Sequence, residues 1–297
     1  MKTIFYRLEL GIRYLKYNSR YRQVMRGAGV LPDIRPMDET LDKILEDHCS
    51  VSRCGDGEFN VIMGGGNGFC HYDPSLAEKL RKILAEEIPG HIVCLPYAGI
   101  CQKNLNLRTK VFWIAFFSKT FNSWKKYLKP GRVYYNTDVT RFYFAYKDKR
   151  VCGGYLKKLK QIWDQRDVLL IEGEYSRLGV NNDLFDNMRS IQRVIAPAKD
   201  AYTKYDEIMK WARKLGKEKL ILIALGQTAT ALAYDLAREG FWAIDIGHLD
   251  VEYEWFLRKA KDKIKINGKH VNEAKYIPVH EEFHDAAYEN QIMAKVL

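Results

Sequence analysis

The sequence contains no long apolar run, no C-x-x-C cysteine pair and no low-complexity tract. Its longest apolar stretch, VFWIAFF, is far shorter than the roughly 18 residues that a transmembrane helix requires. The spacing of the six cysteines argues against a disulfide framework and indicates reduced thiols in a cytoplasmic protein. The N-terminus carries charges throughout and lacks a small-residue cleavage site, so no secretory signal peptide is expected.

The composition is that of a soluble globular protein with an excess of positive charge. The chain has 297 residues, of which 47% are hydrophobic and 29% charged, and its formal net charge is +11. This charge favours an anionic partner, such as a phosphorylated substrate or an anionic membrane. The sequence has no zinc-finger spacing and no RNP-type segment, so we expect no nucleic-acid partner.

The N-terminal segment concentrates this charge. Residues 1–26 hold seven Lys or Arg against the single acid Glu9. Apolar side chains recur there at spacings of four, four and three residues: Ile4, Leu8, Ile12 and Leu15. This pattern predicts a basic amphipathic helix and linker over residues 1–34. The helix either contacts an anionic membrane through residues 1–26 or docks its apolar stripe on the protein's own core.

From residue 166 onward, short apolar runs alternate with amphipathic segments. DVLLIEGE, IQRVIAPA, KLILIALG and FWAIDIGH are typical of buried strands, whereas AYTKYDEIMKWARKLG and TATALAYDLARE are typical of helices. We also expect a helix over NDLFDNMRS, residues 182–190. This alternation predicts an α/β fold with a Rossmann-like, mostly parallel sheet and helices on both faces, in a domain spanning residues 35–297.

Ligands of an open parallel sheet bind outside the carboxyl ends of its strands. The predicted strand ends deliver mainly carboxylates and one glycine turn: Asp56, Glu58, Glu172, Glu174, Pro197, Gly226, Gln227, Thr228, Asp245, His248 and Asp250. At the turn that begins with Gly226, backbone amides at a helix start could bind a phosphate. Alternatively, this is an ordinary turn in which Thr228 caps the helix.

Two D-x-E triplets, Asp56–Glu58 and Asp250–Glu252, offer hard oxygen ligands of the kind that Mg²⁺ and Mn²⁺ prefer. In an extended segment the two carboxylates of each triplet would lie on one face. Such triplets are also common on protein surfaces.

Five separated motifs, in order, resemble the bacterial GT-D fold glycosyltransferases, a family first described as a domain of unknown function. They are SRCGDGEF (52–59), EGEYSRLGVNNDLFDN (172–187), IAPAKDAYTKYDEI (195–208), LGQTATALAYDL (225–236) and IDIGHLDVEYEWF (244–256). The resemblance extends from about Arg35 to about Tyr276. Cys54 departs from it, because an aromatic residue is expected there.

The resemblance implies a metal-dependent glycosyltransferase that uses a nucleotide-sugar, with a UDP-sugar as the expected donor. The implied acceptors are glycans or glycoconjugates of the bacterial surface, including lipid-linked ones. It implies a D-x-E motif that binds Mn²⁺ or Mg²⁺, which we place on Asp56 and Glu58, with Asp250 and Glu252 as the competing placement. Glu273 matches a further acidic position of the family.

The reaction would assign roles to these residues. The diphosphate leaving group needs stabilisation by a cation or a helix N-terminus, for which Gly226–Thr228 and either Arg53 or Arg177 are candidates. A base is needed if the reaction inverts the anomeric carbon, and Asp245, Asp250 and Glu58 are candidates. The remaining predicted nucleotide-sugar contacts are Gly55, Asn182, Gln227 and His248.

Each of these residues also has a structural interpretation. Arg53 and Arg177 could form ion pairs with Asp56 and Asp183, Asn182 could cap a helix, and His248 could hold its turn. The chain could also be a non-catalytic, membrane-associated scaffold that binds nucleotide. The HEEFH segment, residues 280–284, matches a zinc-protease motif but lacks a third ligand, so an exposed C-terminal helix is expected instead.

Overall fold

The fold is built on one nine-stranded sheet in a computed structural model that describes residues 2–66, 68, 70–278 and 283–297. The side chains of residues 2–4 are not described. The strands are β1 (Asp33–Ile34), β2 (Ser50–Arg53), β3 (His91–Leu95), β4 (Val133–Asn136), β5 (Asp167–Gly173), β6 (Ser190–Ala196), β7 (Leu220–Ala224), β8 (Trp242–Asp245) and β9 (Ile292–Lys295).

The strand order is β1-β4-β3-β2-β8-β7-β5-β6-β9, and every pairing is parallel. The sequence runs from β2 outward to β3 on one side, whereas β8 reaches β2 from the other side. A crevice is therefore expected above the β2–β8 pair, where the strand order reverses. The predicted Rossmann-like α/β fold is confirmed.

Helices cover both faces of this sheet. They are α1 (Lys2–Gly27), α2 (Met37–Asp47), α3 (Asp56–Ile62), α4 (Pro74–Ala85), α5 (Leu107–Lys125), α6 (Cys152–Ile162), α7 (Tyr205–Leu215), α8 (Gln227–Arg238), α9 (Leu249–Leu257) and α10 (Ala286–Gln291). Buried apolar side chains form large clusters on the two faces, so the strands read as continuous apolar runs. None of the helices in the described part of the chain is long and apolar enough to cross a membrane.

Local chemistry explains several boundaries. Asp73 accepts hydrogen bonds from the amides of Ser75 and Leu76, and Pro74 follows it at the first helical position, which fixes the start of α4. The helix predicted over residues 182–190 is wrong, because residues 181–187 form turns and Ser190 begins β6. The side chain of Asn182 there accepts from the Leu184 amide, as expected of a turn.

Helix α1 packs parallel to α5. The Arg108 guanidinium lies over the ring of Tyr6, and the Lys119 ammonium lies over the ring of Tyr17 further along. The described part of the predicted apolar stripe does not dock on the core, since Leu8, Ile12 and Leu15 are 59%, 66% and 75% exposed; the side chain of Ile4 lies outside the described part. The helix packs instead through its opposite face, on which Leu10 is buried.

Candidate active site

A cavity of about 700 Å³ opens at the carboxyl edge of the sheet, around the β2–β8 pair. Loops that follow β2, β4, β7 and β8 supply much of its lining, and α1 and α5 contribute one wall. Nine of the predicted site residues line it: Arg53, Gly55, Asp56, Glu58, Gly226, Gln227, His248, Glu252 and Glu273. The parallel sheet therefore brings these segments, which are distant in sequence, to one cavity, as the strand-end rule predicted.

The first D-x-E triplet forms the first turn of α3 rather than an extended segment, so its residues do not alternate between faces. The Glu58 carboxylate folds back and accepts a hydrogen bond of 2.7 Å from the Gly55 amide. Burial, and then the nearby charge of Asp245, raise the pKa of Glu58 to about 7. Among the described residues, no hydrogen bond or ion pair reaches the Asp56 carboxylate, which is thus available to a ligand.

Arg53 and Asp245 form a clamp between β2 and β8. The guanidinium donates to the Asp245 backbone carbonyl and to its Oδ1, both at 2.9 Å. Asp245 also accepts from the Gly247 amide and from the Thr230 hydroxyl. Gly247 has φ +46°, and a Cβ added there would lie 2.0 Å from Arg53 Nη2. Asp245 therefore positions Arg53 at the cavity, and its own oxygens are already hydrogen-bonded.

The turn after β7 presents the start of α8 to the cavity. Gly226 adopts φ 55° at the N-cap position, and Gln227 begins the helix. No side chain caps the start of α8, because its N-cap residue is Gly226. The alternative prediction that Thr228 caps the helix is therefore wrong. Thr228 is buried and does not line the cavity. The Gln227 Oε1 atom is buried without a hydrogen-bond partner in the described structure. A helix start of this kind favours an anion.

A second group of charged side chains, of both signs, lines the same cavity. Arg141 donates to Glu273 Oε1 at 2.5 Å, and its Nη2 lies 2.6 Å from His248 Nδ1. Burial alone would raise the pKa of Glu273, but the charges of Arg141 and His248 hold it well below its usual range. The other carboxylate oxygen of Glu273 is buried without a partner among the described residues. Lys263 Nζ lies 3.9 Å from Glu273 Oε1.

The second D-x-E triplet has different surroundings. Asp250 is fully buried and accepts from Lys269 Nζ at 2.7 Å, from the Gly179 amide and from Asn182. Glu252 reaches the cavity edge, but its Oε2 accepts from the amides of residues 143 and 144. The structure therefore does not bring Asp250 or Asn182 to the cavity. The other oxygen of Glu252, Oε1, lies 3.6 Å from Arg141 Nη1, so Glu252 has an ion pair of a kind that Asp56 lacks among the described residues.

Arg177 is also displaced from its predicted role. It has φ 47°, donates to the Gly268 carbonyl at 2.7 Å and stacks on the Phe283 ring. Arg177 is buried and does not line the cavity. It therefore stabilises the loop at Gly268 rather than contacting a nucleotide in the cavity. Residues 279–282 are outside the described part of the chain, and HEEFH lies mostly on them. The described residues near it form α10 only from Ala286 onward.

The cavity carboxylates of Asp56 and Glu58 are suited to a divalent ion whose remaining ligands come from the substrate. Within the described residues, no three His, Cys, Asp or Glu side chains converge as a ready-made metal cage. Mg²⁺ commonly takes one or two protein carboxylates and fills its other positions with water and substrate phosphates. The unpaired Asp56 carboxylate, with Glu58 beside it, suits such an ion better than the occupied oxygens of Asp250 and Glu252.

The prediction missed Asp138 as a site residue. Asp138 follows β4 in NTDVT, lines the cavity and is 6% exposed, and burial, then the charge of Glu252, raise its pKa to about 7. The strand-end rule applies to it once β4 is bounded at Val133–Asn136, because Asp138 is then the second residue after the strand end. Other missed cavity residues are Arg108, Lys263 and His270.

A family model and two curated relatives all identify this chain as similar to glycosyltransferases. The family model described as "Glycosyltransferase GT-D fold" matches residues 51–274. "Probable glycosyl transferase Gly" of Streptococcus gordonii is 40% identical over 263 residues, which are 88% of this chain and 38% of that protein. "Glycosyltransferase GlyD" of Streptococcus pneumoniae serotype 4 is 36% identical over 265 residues, 89% of this chain and 32% of that protein. The chain thus spans about a third of the length of these curated relatives.

Two solved structures are similar over nearly their whole length. "A New Glycosyltransferase (DUF1792) from Streptococcus sanguinis" is 37% identical, has a TM-score of 0.85, and covers 90% of this chain and 100% of its own. A second is described as "The highly conserved domain of unknown function 1792 has a distinct glycosyltransferase fold". It is 34% identical, with a TM-score of 0.87, and covers 94% of this chain and 99% of its own.

Proposed function

The chain belongs to the glycosyltransferase GT-D fold family, and on that premise we propose that it moves a sugar from a UDP-sugar donor to a glycan or lipid-linked acceptor of the bacterial surface. One observation carries the proposal. The unpaired Asp56 carboxylate and the uncapped start of α8 at Gly226–Gln227 open into the same cavity. A carboxylate for a cation and amides for an anion are the two groups that a diphosphate needs.

The cofactor in this proposal is Mn²⁺ or Mg²⁺, held by Asp56 with Glu58 beside it. When bound, the ion would supply charge to the diphosphate leaving group. Glu273 is a further candidate ligand because one of its oxygens is unpartnered, although Arg141 holds the other. Glu252 is less suited to this role, because its Oε2 accepts from two backbone amides and its Oε1 lies 3.6 Å from Arg141 Nη1.

The chain's own cations and amides stabilise the leaving group in this proposal. Arg53 is held at the cavity by Asp245, and Arg141 and Lys263 line the opposite side. The amides at the start of α8 add a positive dipole end next to them. Together these groups favour the negative charge that develops on the diphosphate as the glycosidic bond breaks.

A base is required only if transfer inverts the anomeric carbon. Of the three predicted candidates, Glu58 lines the cavity, whereas Asp245 and Asp250 have their oxygens hydrogen-bonded elsewhere. Asp138 joins Glu58, since it lines the cavity and no hydrogen bond or ion pair reaches its carboxylate within the described residues. Both carboxyl groups have a pKa raised to about 7, within the range useful for proton transfer.

We place the enzyme in the cytoplasm. Five of the six cysteines are free thiols, as is usual in a reducing compartment: Cys49, Cys54, Cys94, Cys101 and Cys152. Contact of residues 1–26 with an anionic membrane would place it at the inner face of the cell membrane.

Donor hydrolysis tests the proposal. The purified chain is incubated with a panel of UDP-sugars, with Mn²⁺ and with chelator, and released UDP is measured. We expect metal-dependent release from at least one donor. Binding of UDP without release from any donor, and without transfer to any acceptor tested, would favour the nucleotide-binding scaffold instead.

A further inference from the structure

Helix α1 has two different faces, and each has its own surroundings. One face packs on α5 and contributes Tyr6, Leu10 and Arg13 to the cavity wall. The other exposes a stripe of apolar side chains, with exposed fractions of 69%, 59%, 66% and 75%: Phe5, Leu8, Ile12 and Leu15. At 3.6 residues per turn these four lie within about 80° of one another, on the side opposite Leu10.

Basic side chains border this stripe. At 3.6 residues per turn the exposed Lys16 and Arg22 lie about 20° beyond its two edges, and the single acid of residues 1–26, Glu9, lies about 40° beyond one of them. An exposed apolar stripe with cationic borders is complementary to an anionic bilayer, whose headgroups attract the cations while the apolar side chains enter the acyl boundary. No described helix spans a membrane, so such contact is peripheral.

We propose that α1 docks on an anionic bilayer through this stripe, and that its other face thereby places the cavity beside the headgroups to receive a lipid-linked acceptor. A helix is about 10 Å across, so the stripe and the cavity wall are separated by only that distance. Arg13 and Arg108 line the wall and would pair with the phosphate of a lipid carrier. The acceptor part rests on the proposed transferase function, whereas the docking part does not.

Flotation tests docking without any activity. The full chain is mixed with vesicles of phosphatidylglycerol in phosphatidylcholine, or of phosphatidylcholine alone, and centrifuged through a gradient. We expect flotation with the anionic vesicles only, weakening as salt rises. The combined substitutions Leu8→Glu, Ile12→Glu and Leu15→Glu should lower vesicle affinity at least about tenfold.

Matched controls isolate the stripe. Leu257→Glu and Met293→Glu change apolar side chains that are also exposed, at 47% and 45%, but lie elsewhere on the surface. They should float as the unchanged chain does, and circular dichroism should show that all variants fold. Docking is overturned if the unchanged chain fails to float with anionic vesicles, or if the triple variant floats equally well. Docking is also overturned if light scattering shows that the unchanged chain is a dimer and the triple variant a monomer, because the stripe would then join two copies of the chain.

Activity separates the acceptor part from the proposed function. The triple variant should keep donor hydrolysis in the absence of vesicles and should lose most transfer to a polyprenyl-phosphate-linked sugar in anionic vesicles. Equal transfer by the unchanged and triple variants to that acceptor would overturn the acceptor part. Failure of the unchanged chain to turn over any donor, together with normal flotation, would overturn the proposed function and leave docking intact.

Discussion

The two D-x-E triplets have the same spacing and opposite surroundings. Asp56 opens the first turn of α3 at the cavity, where no described side chain pairs with it. Asp250 lies inside α9, fully buried, and forms an ion pair of 2.7 Å with Lys269. The comparison shows that a carboxylate becomes available for a cation only where the fold leaves it without an internal partner. Residue spacing does not determine this.

Removing Lys269, the internal partner of Asp250 in the second triplet, should have the largest effect on stability. Lys269→Met leaves the Asp250 carboxylate buried without a cation, next to Glu254, which keeps its ion pair with Arg258. We expect a loss of about 3–5 kcal/mol in the free energy of unfolding. Urea denaturation of this variant and of Lys261→Met, which changes an exposed lysine, measures it. Equal stability of the two variants would show that the Asp250 pair is not structural.

The corresponding change in the first triplet should affect activity instead. Asp56→Asn removes a carboxylate that makes no hydrogen bond or ion pair among the described residues, so the fold should keep its stability while sugar transfer falls at least about 100-fold. Donor hydrolysis with saturating Mn²⁺ and a melting curve measure the two quantities. Asp262→Asn, on the exposed surface, serves as the control. A stability loss as large as that of Lys269→Met would remove the contrast between the triplets.

The clamp behind the first triplet offers a smaller test. Gly247→Ala adds a Cβ that would meet Arg53 Nη2 at 2.0 Å, on a backbone with φ +46°. We expect a loss of about 1–3 kcal/mol in the free energy of unfolding, together with weaker UDP binding. Gly131→Ala is the matched control, because Gly131 has φ +75° but no atom within 4 Å of the added Cβ. If both variants lose the same stability and retain UDP binding, the close packing of Gly247 against Arg53 does not hold Arg53 in place.

Titration of the buried cavity acid should change stability gradually with pH rather than in one step. Because burial raises the pKa of Asp138 from 3.8 to about 7, the folded chain retains a proton that the unfolded chain releases. Stability should therefore fall as pH rises from about 4 to about 7, by at most about 1.4 kcal/mol per pH unit. Urea denaturation across this range should show the slope, and Asp138→Asn should reduce it, leaving the part that Glu58 contributes through its own pKa of about 7. An unchanged slope in that variant would assign the effect to another group.

The sequence predicted the fold well because parallel strands buried on both faces leave an unmistakable pattern of apolar runs. DVLLIEGE and KLILIALG became β5 and β7. The helix over residues 182–190 was wrong since local side-chain hydrogen bonds, such as Asn182 to the Leu184 amide, compete with helix formation. The helix α5 was missed because its aromatic side chains hide its period.

The site was predicted in part. The strand-end rule located Asp56, Gly226 and His248, because it depends only on topology. It could not distinguish Asp56 from Asp250, since the partner that neutralises Asp250 is Lys269, nineteen residues further along the chain. Arg177 was misassigned for a similar reason, because its partner carbonyl at Gly268 is distant in sequence.

Calorimetric titration of UDP tests the account most directly. UDP is titrated into the unchanged chain, Asp56→Asn and Asp262→Asn, each with Mn²⁺ and with chelator. The account predicts Mn²⁺-dependent binding that Asp56→Asn loses and Asp262→Asn retains. Binding of equal strength in Asp56→Asn, or binding that is indifferent to Mn²⁺, would contradict it.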